Sequence, residues 1–107
     1  MENKKYLEKI SVCIEKILVY TDGKTYESFE RDSMVVEACV FNLGQIGEYA
    51  NKISDDFKEC HPEIPWKNLY GLRNRIVHDY EGVNLVLIWD IISEDLAEFK
   101  KQIIGIL

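Results

Sequence analysis

At 107 residues the chain is long enough to build one hydrophobic core and too short for two, so residues 1–107 are expected to form a single domain. Thirteen basic against nineteen acidic residues leave a formal charge of 13 − 19 = −6. That balance excludes a general polyanion binder, because phosphate affinity comes largely from Lys and Arg, and it confines any nucleic-acid contact to a local patch, with Lys67, Arg73 and Arg75 as the candidates.

Cys13, Cys39 and Cys60 are odd in number and contain no Cys-x-x-Cys pair, so neither a disulfide framework nor a zinc site is expected. Cys13 and Cys39 fall on apolar helical positions and read as small core residues. Cys60-His61 lacks further ligands at metal-binding spacing. The opening Met1-Glu2-Asn3-Lys4-Lys5 leads into an amphipathic segment, with no signal peptide or membrane span, and a cytoplasmic location is expected.

From Asn3 to Val19, apolar residues recur at Tyr6, Leu7, Ile10, Cys13, Ile14, Ile17 and Leu18, the three-four spacing of an amphipathic helix. Thr21-Asp22-Gly23-Lys24 breaks the pattern, and Tyr26 to Phe29 leads into a second helix predicted from about Glu30 to Ile53. Between Met34 and Ile46 that helix is apolar almost all round, which makes it the central one. Gly44 and Gly47 interrupt it at about 1 kcal/mol each, so a neighbouring helix or a second copy of the chain is expected close to the backbone there. Asn42, Gln45 and Glu48 form a polar ribbon, whose simplest reading is a stripe facing water.

A short helix is predicted over Asp55 to Cys60, followed by a rigid corner, His61-Pro62-Glu63-Ile64-Pro65, since each proline disfavours helix in the residue before it. Pro65 at a first helical position and Gly82 beyond a last one bracket a helix of about 16 residues. Its apolar face is Trp66, Leu69, Leu72 and Ile76, with Arg73 and Asn74 on the flank. The last helix is capped by Asn84 and runs to about Ile104 on a stripe of Leu85, Ile88, Trp89, Ile92, Leu96, Phe99 and Ile103. With no strand signal, repeat or Gly-rich phosphate loop, the chain is predicted to be all-α, an antiparallel bundle of four or five helices.

The chemistry gathers in Arg73-Asn74-Arg75-Ile76-Val77-His78-Asp79-Tyr80. Residues four apart share a helix face, so Asn74 is placed to hold one ring nitrogen of His78 and leave the other free. Arg75 and Asp79 form a candidate surface ion pair worth a few tenths of a kcal/mol. Arg73 and His78 are five apart, about 140° round the axis, and do not meet on one straight helix. Either the last turn loosens, or a second copy supplies the missing half through a two-fold axis. His and Arg suit acid–base work beside a phosphate: an imidazole titrates near neutrality and serves as acid or base, and a guanidinium clamps a phosphate while charge grows on it. Taken singly, a last-turn His is most often a cap and a nearby Arg a solvated charge.

Arg, four residues, His, one residue, Tyr, with Asn directly after the Arg, resembles the signature of HEPN-domain ribonuclease toxins of the HepT type. Asn42-Leu43-Gly44-Gln45-Ile46-Gly47-Glu48, Pro62 to Lys67, Val83-Asn84-Leu85 and Ile88-Trp89-Asp90-Ile91 look like further family segments in the same order, so the resemblance covers about Phe29 to Phe99. It implies a HEPN-like helical homodimer with a metal-independent endoribonuclease site, Arg73 and His78 being catalytic, and no cofactor. It also implies a supporting place for Asn74 and for Glu48 near the cleft. In similar toxins the Tyr at the position of Tyr80 receives AMP from ATP through a partner minimal nucleotidyltransferase, the antitoxin of a type VII-like pair. The competing expectation is a non-catalytic acidic helical module that binds a nucleotidyltransferase or another protein through its exposed faces.

Overall fold

The computed structural model describes the backbone of residues 2–79 and 84–107 and the side chains of residues 2–72 and 84–107. Helix α1, Glu2–Thr21, turns Leu7, Ile10, Cys13, Ile14 and Ile17 into the core, as its period requires. It stops where the Thr21 hydroxyl donates to the Ile17 carbonyl (2.8 Å) and Gly23 adopts a φ of 73°, a left-handed conformation that glycine takes without a Cβ clash.

One helix was expected from about Glu30 to Ile53, and the structure has two. Helix α2, Tyr26–Arg31, opens on a capping box in which Thr25 and Ser28 each accept the other's backbone N–H (3.2 and 2.9 Å). Asp32 then leaves helical geometry and starts helix α3, Ser33–Lys52, its carboxylate accepting from the Val35 N–H (3.2 Å) and pairing with Lys24 (3.2 Å). The Val35 amide, and after it the Lys24 ammonium, hold the Asp32 carboxyl below its ordinary value. The break is local competition: a short acidic side chain satisfies the backbone donors that an unbroken helix would have used.

Helix α3 packs between α1 and the later α5, the central position expected of it. Cys39, Val40, Leu43, Ile46 and Ala50 are buried. Its apolar surface is not buried all round, however: Met34 and Phe41, two turns apart, are 81% and 65% exposed. Nor is the polar ribbon a stripe facing water. Asn42 is buried and donates to the Ala38 carbonyl (2.9 Å), Gln45 donates to the Tyr49 hydroxyl (3.4 Å), and Glu48 is half-buried. At Gly44 the expected close neighbour is not found among the described residues, where nothing lies within 4 Å of a Cβ placed there. Helices α1 and α3 run antiparallel: Asn3 bonds Ser54 through both its oxygen and its amide (3.0 and 3.1 Å), and Tyr6 stacks on Tyr49 at 6.2 Å.

Helix α4, Asp55–Cys60, has the predicted bounds, with the Ser54 hydroxyl accepting from the Phe57 N–H (3.3 Å). The proline corner buries Ile64 and is held by the Trp66 indole, which donates to the His61 carbonyl (2.9 Å). Helix α5, Trp66–Asp79, begins one residue later than expected, because Pro65 acts as the cap and its carbonyl accepts from Asn68 and Leu69 (3.0 and 3.1 Å). Helix α6, Leu85–Asp90, starts from Asn84, whose side chain accepts from the Leu87 N–H (3.1 Å), as its sequence position suggested.

The final helix is not continuous. Ile91–Asp95 form a π-helical turn, with the Leu96 N–H donating to the Ile91 carbonyl five residues back, before helix α7, Leu96–Gly105. The extra residue lets neighbouring Ile91 and Ile92 both bury, at 4% exposure each. The result is four long rods, α1, α3, α5 and the α6–π–α7 run, with the short α2 and α4 between them, and no strand among the described residues. The all-α bundle expected from the sequence is therefore what forms. No helix among the described residues is long and apolar enough to cross a membrane. Cys13 and Cys39 are core residues as anticipated, and burial raises both thiols, Cys39 to about 12.

Candidate active site

Helix α5 carries the octet's first seven residues. Its rotation is set by Leu69 and Leu72, which are buried against the rest of the core at 0% and 2% exposure, together with the half-buried Trp66. From that anchor the backbone continues as regular helix through Asp79. The last turn does not loosen at residue 78, so positions 73 and 78 keep their separation of about 140°. Of the two ways for Arg73 and His78 to meet, rearrangement of the helix end is thus not adopted in the single chain.

The side chains of Arg73, Asn74, Arg75, Ile76, His78 and Asp79 lie outside the described residues, and so do the Asn74–His78 contact and the Arg75–Asp79 pair expected from the sequence. Tyr80 lies wholly outside them. Glu48 is described: it sits half-buried on α3, the helix against which α5 packs. Lys67, the third cationic candidate, is exposed on the first turn of α5.

Beside Lys67 the structure opens a groove of about 570 Å³, lined by Lys67, Asn68, Gly71 and Leu72 of α5 and by Ile91, Asp95 and Phe99 of the last rod. Its floor is apolar and its rim is polar. Lys67, Asn68 and Gly71 occupy the register that passes, three and four residues on, to Asn74, Arg75 and His78. Asn68, Gly71 and Asp95 were not singled out from the sequence. Ile91 stands three residues after Ile88, so helical spacing by itself does not mark the π turn at Ile91–Asp95.

The chain as a whole is what connects it with known proteins. A family model described as "Ribonuclease HepT-like" matches residues 10–106, nearly the whole bundle. The chain belongs to the ribonuclease HepT-like family. Among HepT-like relatives, a chain named as an RNase from Caldanaerobacter subterraneus is 35% identical over 102 residues, covering 95% of this chain and 91% of the relative. Another named as an RNase, from Methanocaldococcus jannaschii, is 34% identical over 94% of this chain and 92% of its own. A "Probable ribonuclease HepT" from Thermococcus cleftensis is 37% identical over 94% and 91%. No solved structure gives a significant match. The resemblance found in the octet and its flanking segments is therefore a family relationship that extends over the HepT-like bundle.

Proposed function

We propose that this chain is the toxin of a type VII-like toxin–antitoxin pair, a metal-independent endoribonuclease whose reaction centre is completed between two copies. The observation that carries this is the HepT-like match over residues 10–106 with Arg73 and His78 on one regular helix. In the reaction, a base takes the proton of the ribose 2′-hydroxyl and the 2′-oxygen attacks the adjacent phosphorus. The bond to the 5′-oxygen breaks, and that oxygen leaves with a proton. His78 is the acid or base, Arg73 binds the phosphate oxygens on which charge accumulates, and Asn74 fixes the imidazole tautomer. Glu48 supports the cleft from α3.

The regular end of α5 supports a second copy as the source of the missing half, since an isologous dimer presents Arg73 of one chain to His78 of the other twice over. The exposed Met34 and Phe41, with open space over Gly44, supply an α3 face on which that copy would sit. Phe41→Glu is expected to convert a dimer to a monomer in light scattering and to lower RNA cleavage in parallel; cleavage at the parental rate by a monomeric variant would sink the shared site.

Mixing Arg73→Ala with His78→Ala tests the composite site more sharply. Random re-pairing makes half the dimers mixed, and each mixed dimer has one complete site, so roughly a quarter of parental cleavage should return from two inactive preparations. No recovery after verified subunit exchange would place both residues in one chain's site. Cleavage should also persist in EDTA.

The antitoxin partner is a minimal nucleotidyltransferase. The Tyr80 phenolic oxygen attacks the α-phosphorus of ATP, the new O–P bond forms, and pyrophosphate leaves. The added bulk and negative charge within the octet compete with RNA phosphate for its cations. Tyr80→Phe is expected to stay toxic and escape neutralisation, with the mass increase of AMP missing from the co-expressed variant. A mass increase retained on the Phe variant would put the modification elsewhere. The charge of −6 favours the other reading, a non-catalytic module; a parent chain that binds the transferase and cleaves no RNA would establish it.

A further inference from the structure

We propose that the groove between α5 and the π turn is a nucleotide subsite that prefers guanine, with Asp95 reading the base and Lys67 holding its phosphate. This deepens the ribonuclease reading and rests on it for the source of the nucleotide. The groove's volume, about 570 Å³, falls within the range of small-molecule sites. Leu72, Ile91 and Phe99 form its floor and are almost completely buried, so they offer a fixed apolar surface. On the rim, Lys67, Asn68 and Asp95 are exposed, and none of their side chains is engaged by another described residue.

That combination narrows the ligand. A purely apolar molecule has no use for three polar groups at the rim, and a bare phosphate is repelled by the Asp95 carboxylate. A nucleotide uses all of them: its base lies against the apolar floor, its edge meets Asp95 and Asn68, and its phosphate meets Lys67. The carboxylate accepts hydrogen bonds and donates none. Guanine alone presents two adjacent N–H donors, at N1 and N2, and can engage both carboxylate oxygens. Adenine and cytosine set a ring-nitrogen acceptor beside one amino donor, and uracil flanks one donor with two acceptors.

Position links the groove to the octet. From Gly71 to residue 78 the rise along α5 is about 10 Å, so a nucleotide here neighbours the one under attack. Gly71 also explains why the groove is open. Apart from its own turn of helix, nothing lies within 4 Å of a Cβ built at that position, so a side chain there would begin in the open space of the groove.

The test is a titration of the isotope-labelled full chain with guanosine, adenosine, cytidine and uridine 5′-monophosphates and with inorganic phosphate, followed by amide NMR. Guanosine monophosphate should shift the Lys67, Asn68, Gly71 and Asp95 signals and bind about tenfold more tightly than the adenosine nucleotide. Inorganic phosphate should leave them in place. Gly71→Leu fills the groove and should abolish the shifts, with thermal unfolding as the check on its fold. Asp95→Asn should bring the guanosine and adenosine nucleotides to nearly equal affinity, an independent outcome should the leucine variant not fold. Equal binding of all four nucleotides by the parent, or shifts confined to other parts of the chain, would overturn the subsite. Because the readout does not involve cleavage, the two readings fail separately. Guanosine binding in a chain that cuts no RNA removes the ribonuclease and leaves the site, whereas RNA cleavage without these shifts removes the site alone.

Discussion

Arg73→Ala and His78→Ala should each lower RNA cleavage by about 10²- to 10⁴-fold, the range that general acid–base groups and transition-state charge clamps supply, and should relieve growth arrest when the chain is expressed alone. Both sit on α5, whose attachment to the core is made by Leu69 and Leu72, so the unfolding temperature should change little. That separation makes the loss interpretable as chemistry. Arg73→Lys should recover only a small part of the rate, because an ammonium keeps the charge and loses the planar fork that engages two phosphate oxygens. Parental toxicity in both alanine variants would remove these residues from the mechanism.

Phe29→Ala should be the most damaging change outside the octet, costing about 3–5 kcal/mol. The ring is fully buried, lies 5.0 Å from the Trp89 ring, and ties α2 to the α6 segment of the last rod. A domain of this size loses roughly 4–8 °C per kcal/mol, so the unfolding temperature should fall by at least about 12 °C. Such a loss approaches the whole stability of a small domain. Val19→Ala, on the exposed face of α1, is the matched control and should stay within about 0.5 kcal/mol. A drop of only a few degrees for Phe29→Ala would show that α2 is not what anchors the last rod.

Much of the bundle was already written in residue order. The three-four recurrence from Tyr6 to Leu18, the cap at Asn84, and the burial of Cys13, Cys39, Leu69 and Leu72 all follow from interactions within a turn or two of helix. Local chemistry repeats at a fixed period, so reading along the chain finds it, and the family segments around the octet could be recognised in the same way. The helix break at Asp32 was also encoded locally, but as a contest between capping and propagation that Lys24, eight residues earlier, helps to decide. Other features have no one-dimensional trace. The open space at Gly44 depends on where α1 and α5 dock on α3, and the groove joins Lys67 to Asp95, twenty-eight positions apart, only because α5 and the last rod lie side by side there. Periodicity settles which face of a helix is apolar; the packing of one rod on another settles which parts of the remaining surface become a place for a ligand.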